Sequence, residues 1–282
     1  MDVSDVRPSP ISGQWYADQP EVLSRAVDDF IRSAALPPLE GEVVAVIAPH
    51  AGHRYSGAVA GYAFASLLNM QYELVAVVSP MHHPSAATLL TTAHRAYETP
   101  LGEVQVDEQA VLALDSALQL RLGSGLSQVA YDPEHSLEIE LPFLQRALRP
   151  GWRLVPVMVR ALDERTSEQL GSSLAEVLRG RRSVLVGSTD LSHFYDQRTA
   201  EELDATMLSS IEAFSPEAVF ETERSGRGFA CGLGALTAVL WAARTLGANK
   251  MRILKHATSA DVTGDPTSVV GYGAAVALRI AS

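Results

Sequence analysis

The chain has 282 residues, 47% of them hydrophobic and 20% charged, a balance that supports a buried core and excludes a disordered or fibrous chain. Lys and Arg number 22 against 33 Asp and Glu, for a net charge of −11, so most of the surface repels a phosphate backbone and nucleic acid is not expected as a partner. The single cysteine, Cys231, excludes an intrachain disulfide and a multi-cysteine metal site.

In chain order, residues 20–35 read as a helix and 43–49 (VVAVIAP) as the first strong strand. A helix over 58–69 behind a Ser56 cap leads to the strand 74–80 (LVAVVSP). Helices are expected over 107–118 and 137–148, a strand over 154–159 (LVPVMV), a helix over 168–178 and a strand over 183–187 (SVLVG). Helices over 200–214 and 232–246 follow, with strands over 251–256 and 268–280. Gly271 and Gly273 in the last strand predict a close neighbour. Arg179, Arg181 and Arg182 read as a solvated helix end.

The four central runs are apolar at nearly every position rather than alternating, which marks strands covered on both faces. Strand then helix, repeated, predicts a three-layer α/β/α sandwich with a mostly parallel or mixed central sheet. No repeat, low-complexity stretch or linker interrupts it, so one domain over 1–282 is expected. The start, MDVSDVRPSP, lacks the charge and apolar run of a signal peptide, and no run of roughly 18 apolar residues occurs. A cytoplasmic protein with no membrane partner is the expectation.

The eight histidines are not scattered evenly. His50 and His53 follow the first strand, His82 and His83 the second, and His193 comes soon after the strand at 183–187. Ligand sites in open α/β sheets lie beyond the carboxyl ends of the strands, so these loops converge, and converging imidazoles suit a transition metal. Plainer readings exist for each: a glycine turn at Gly52, an incidental pair at His82 and His83, a capping Asp190, and a cap from Glu134 or Ser136 beside His135. Cys231, within GRGFACGLGA, is either a small buried apolar side chain or a thiolate favoured by the helix after it.

Seven segments in order resemble the Memo family, whose bacterial members are also called AmmeMemoRadiSam system protein B. They are SGQWY at 12–16, IAPHAGHRYSG at 47–57, SPMHHP at 79–84, TPLG at 99–102, EHSLEIELPFLQ at 134–145, STDLSH at 188–193 and CG at 231–232. The resemblance runs almost end to end and implies a fold similar to class III extradiol dioxygenases. It implies a metal site of His50, His83 and Cys231 for Fe(II) or copper, with zinc as the alternative. His135, His193 and Asp190 would then act as catalytic groups that move protons, and His53, Arg54, Tyr55 and His82 would contact substrate. The family often has Tyr where this chain has His53, and its bacterial members often have Pro where this chain has Ala235.

The activity so implied is redox chemistry of the dioxygenase type on a small aromatic or enediol-like substrate. The dioxygenases carry Glu where this family carries Cys, and a thiolate raises affinity for copper or zinc. Two alternatives stand beside it. One is a member that binds a peptide or protein without turnover, such as a partner from the AmmeMemoRadiSam set; the other is a hydrolase working through zinc-bound water.

Overall fold

A computed structural model describes residues 5–160 and 163–281. From the amino end, β1 (Val6–Arg7) precedes α1 (Pro20–Ser33), β2 (Glu42–Ala48), α2 (His53–Ala65) and β3 (Leu74–Pro80). Next come β4 (Leu89–Thr92), β5 (Ala96–Thr99), β6 (Gly102–Gln105), α3 (Glu108–Leu122) and β7 (Ser127–Val129). A 3-10 turn at Glu138–Glu140 runs into α4 (Leu141–Ala147), followed by β8 (Arg153–Val159), α5 (Glu164–Leu178), β9 (Ser183–Ser188) and β10 (His193–Tyr195). The rest comprises α6 (Gln197–Glu212), α7 (Pro216–Arg224), α8 (Leu233–Thr245), β11 (Lys250–Thr258), α9 (Ala260–Thr263) and β12 (Val269–Arg279).

The apolar runs become the centre of one mixed sheet ordered β10-β12-β2-β9-β3-β8-β4-β7, with β11 along the other side of β12. Strands β2, β9, β3 and β8 are parallel neighbours. Antiparallel partners flank them, β12 against β2 and β4 against β8. Every residue of β3 is buried, as is every residue of β2 and β8 after the first. Helices explain why. α2, backed by α1 and α4, covers one face, and α8, backed by α5 and α3, covers the other. The result is the expected three-layer α/β/α sandwich. Because β9 inserts between β2 and β3, the carboxyl ends of these three strands open side by side, where such sheets bind ligands.

Three local features depart from the sequence expectation. A second, three-stranded sheet of β1, β5 and β6 lies apart; its strands are too short to show periodicity. Helix α2 begins at His53, not at 58, because Gly52 takes the N-cap position while the Ser56 hydroxyl donates to the Ala51 carbonyl at 2.8 Å. Residues 137–148 divide into the 3-10 turn and α4, with Pro142 in the first turn of α4, where a missing N–H costs nothing. Among the described residues no helix is long and apolar enough to cross a membrane.

Candidate metal centre

Strand register sets the first part of the site. Ala48 of β2 pairs with Ser188 of β9, so the residues two positions beyond, His50 and Asp190, emerge level. The backbone N–H of His50 donates to Asp190 Oδ1 at 2.7 Å. The His50 ring is buried, with Nδ1 2.9 Å from Ser188 Oγ and Nε2 3.1 Å from Cys231 Sγ. Ser188 Oγ also lies 2.7 Å from the Ser136 carbonyl oxygen and 2.7 Å from Glu140 Oε1. Gly232 explains how Cys231 comes so near: a Cβ there would collide with the Ser188 carbonyl, so only glycine lets the start of α8 touch the end of β9.

The second part comes from the loops after β3 and before the 3-10 turn. Ligand nitrogens of His50, His82 and His135 lie within 4.8 Å of one another. Glu134, fully buried, organises the other two rings. It accepts the His82 backbone N–H at 2.5 Å and the His82 Nδ1–H at 2.9 Å. It also accepts the backbone N–H groups of His135 and Ser136, each at 3.0 Å, and sits 3.2 Å from His135 Nδ1. A carboxylate on Nδ1 fixes the tautomer and leaves Nε2 free to bind an ion. Trp15 stacks on the His135 ring at 4.0 Å, and its carbonyl accepts the His53 backbone N–H at 2.8 Å.

Beneath the loop that carries Glu134 and His135 sits Arg7, almost completely buried. Its guanidinium bonds both carboxylate oxygens of Asp132 at 2.9 and 3.0 Å, Glu138 Oε2 at 2.5 Å, and the Glu134 carbonyl at 2.8 Å. The two-residue β1 therefore clamps both ends of the loop from 132 to 138.

Burial dominates the electrostatics. It lowers His50 well below its usual range, helped by repulsion from His135 and His82, and it lowers His135 to about 4. Both are neutral donors at pH 7. Burial alone would raise Glu134, but its bonds to His82 and Ser136 outweigh it and hold the carboxyl far below the usual range. Asp190 is pushed up to about 7 by burial. Burial, with the Asp190 charge, pushes the Cys231 thiol up as well. Cys231 is exposed as a residue, yet its sulfur sits against His50 Nε2 and the Asp190 N–H at 3.2 Å.

The resemblance implies His83 as the second imidazole donor, whereas the structure turns His82 to His50 and His135. His83 is exposed, and its carbonyl accepts from Arg160 at 3.0 Å. His135, expected to move protons, stands among the ligand nitrogens instead. His53, expected at the substrate, is packed among Tyr16, Phe30 and Phe143 and donates its Nε2–H to the Ile139 carbonyl at 3.1 Å. Arg54 and Tyr55 are exposed at the start of α2, the guanidinium over the phenol ring at 5.7 Å. His193 is partly buried and donates its Nδ1–H to the Leu191 carbonyl at 2.8 Å. Asp190 holds the His50 backbone, not a ring. Sequence reasoning missed Arg7, Trp15, Arg160, Ser188 and Glu140; Glu134 appeared only as a cap. SGQWY, STDLSH and EHSLEIELPFLQ were signals for Trp15, Ser188 and Glu140, but nothing local marked Arg7 or Arg160.

The donor set fits a first-row ion. Metal–nitrogen bonds of about 2.0–2.1 Å hold three donors about 3–3.6 Å apart, so imidazole nitrogens that lie within 4.8 Å of one another would close in by about an ångström around an ion. Imidazole suits iron, copper and zinc alike, and the adjacent sulfur adds a soft donor.

A parallel-centred α/β/α sandwich with imidazoles gathered at its strand ends defines an α/β protein with a histidine group that could hold a metal ion. The profile of the family described as Memo-like protein matches residues 7–276; the chain belongs to the Memo family. It is 32% identical to a MEMO1 family protein of Methanothermobacter thermautotrophicus over 95% of this chain and 98% of that one. With a MEMO1 family protein of Methanopyrus kandleri the identity is 31%, over 97% and 99%. With one of Nitrosopumilus maritimus it is 29%, over 95% and 98%.

Proposed function

We propose that His50, His82 and His135 hold Fe(II) or copper, and that the protein is a dioxygenase-like oxidoreductase for a small aromatic or enediol-like substrate. The observation that carries this reading is the placement of three imidazole nitrogens within 4.8 Å of one another at the strand ends. A cavity of about 430 Å³ opens beside them, lined in part by Met81, His82, Arg160, Cys231 and Gly232, which is the size of a small-molecule site.

A bound ion would supply electron transfer and Lewis acidity. The chain's own groups do the rest. Glu134 holds the Nδ1–H of His82, so that ring keeps its Nε2 lone pair toward the cluster. Arg160 in the cavity wall favours a substrate oxygen that has lost its proton. Asp190, whose carboxyl burial pushes up to about 7, sits behind the cluster and fixes the His50 backbone through its N–H. His193, whose Nδ1–H is engaged by Leu191, offers its Nε2 as a base.

Metal analysis of anaerobically purified protein, then oxygen uptake across catechols and enediols, tests the proposal. Bound iron or copper with substrate-dependent uptake is the expected result. Metal-loaded protein that consumes no oxygen on a broad panel would overturn it in favour of the binding or hydrolytic alternative.

A further inference from the structure

Around Ser188 Oγ, three short contacts must share the available protons. The Ser136 carbonyl can only accept, so the Ser188 hydroxyl proton belongs there at 2.7 Å. The contact to His50 Nδ1 at 2.9 Å then requires a proton on Nδ1, donated to Ser188 Oγ. The remaining contact, to Glu140 Oε1 at 2.7 Å, has no proton left if Glu140 is a carboxylate. Two oxygens would then face each other at hydrogen-bond distance with nothing between them. A proton on Glu140 completes the count: three protons for three contacts.

We propose that Glu140 is carried as a neutral carboxylic acid, and that through Ser188 it locks His50 in the Nδ1–H tautomer with the Nε2 lone pair facing the cluster. Glu140 is thus a positioning residue for His50. A second, independent observation agrees. Glu140 Oε2 is completely buried with no hydrogen-bond partner, a position tolerable for a carbonyl oxygen and very costly for half of a carboxylate. Among the described residues no N–H group donates to this side chain and no cation pairs with it, whereas nearby Asp190 accepts the His50 backbone N–H at 2.7 Å. Burial and the Asp190 charge act in the same direction on Glu140. The tautomer also accounts for Cys231, whose S–H can donate to the free Nε2 at 3.1 Å. The significance for metal binding rests on the proposed centre; the protonation itself does not.

Glu140→Gln is the informative variant, because the amide is neutral, has nearly the same shape and can donate its N–H to Ser188 Oγ. In metal-free protein at pH 7, ring ¹⁵N shifts of His50 should report the Nδ1–H tautomer in wild type and Glu140→Gln, and a shift toward Nε2–H in Ser188→Ala. An infrared carbonyl band of a neutral carboxylic acid should be present in wild type and absent in Glu140→Gln. Zinc(II) titrations against a competing chelator should give Glu140→Gln an affinity within about twofold of wild type, with Ser188→Ala weaker by about tenfold or more. An Nε2–H tautomer in wild type, absence of the acid band, or a Glu140→Gln as weak as Ser188→Ala would overturn the inference. If wild type binds no zinc, the proposed centre fails, and the ring shifts and the infrared band still decide the protonation of Glu140.

Discussion

Glu134 grips His82 twice, taking its backbone N–H at 2.5 Å on one carboxylate oxygen and its ring Nδ1–H at 2.9 Å on the other. Both histidines of the pair are exposed, but these two bonds tie the ring of the first, His82, beside His50 and His135.

His82→Ala is therefore expected to lose most bound metal, and His83→Ala to keep it. Elemental analysis after identical loading distinguishes them, and equal losses would contradict the assignment. Glu134→Gln keeps the shape but removes the charge that orients two rings, and should weaken affinity by about 10–100-fold.

Cys231 offers a proton count. Its thiol is held neutral in the metal-free protein, and a sulfur that joins the ion must give up that proton. Zinc(II) added to weakly buffered protein at pH 7 should release about one more proton per ion from wild type than from Cys231→Ser. The same release from both would place the sulfur outside the coordination sphere.

Much of this arrangement is legible in the chain and part is not, for physical reasons. VVAVIAP, LVAVVSP, LVPVMV and SVLVG reveal their strands because burial on both faces demands unbroken apolar residues. His50 stands out because a strand end points to the ligand side of the sheet. Adjacent His82 and His83 cannot be told apart locally, since the choice is made by Glu134, which lies 52 positions away along the chain. Arg7 looks like an ordinary surface residue until the fold buries it, and the motifs that contain Ser188 and Glu140 do not reveal that the two side chains meet. His53 misleads for the opposite reason: α2 starts earlier than its pattern suggests, and its first residue turns into the core.

Arg7 carries two buried carboxylates, so its loss should be felt well beyond β1. Arg7→Met leaves Asp132 and Glu138 without their cation, which typically costs about 3–5 kcal/mol. Urea unfolding should show that loss. Zinc affinity should fall as well, because the loop holding Glu134 and His135 loses its clamp. A stable Arg7→Met with unchanged affinity would mean the clamp is redundant.

His53 makes stability depend on pH. Burial lowers it from 6.5 to about 4, so the folded state favours the neutral ring. The contribution is complete above 6.5 and is lost as pH falls from 6.5 toward 4. At about 1.4 kcal/mol for each pH unit it amounts to about 3 kcal/mol. Urea unfolding of metal-free protein at pH 7, 6 and 5 should show the decline, with a shallower slope in His53→Phe; His50 and His135 add to it in the same direction. An unchanged slope in the variant would mean that the His53 ring does not titrate in this range.

The contacts that make the centre span long stretches of chain, 131 residues from Arg7 to Glu138 and 181 from His50 to Cys231. Such non-local pairings form late and slow the search for the native state. A ribosome emits the chain from its amino end at about 5–20 residues per second, so His50 and His82 emerge about 7–36 seconds before Cys231. During that interval the two imidazoles have neither their sulfur neighbour nor the closed sheet that buries them. A metal site that depends on Cys231 and the closed sheet would therefore be complete only after β12 has joined β2.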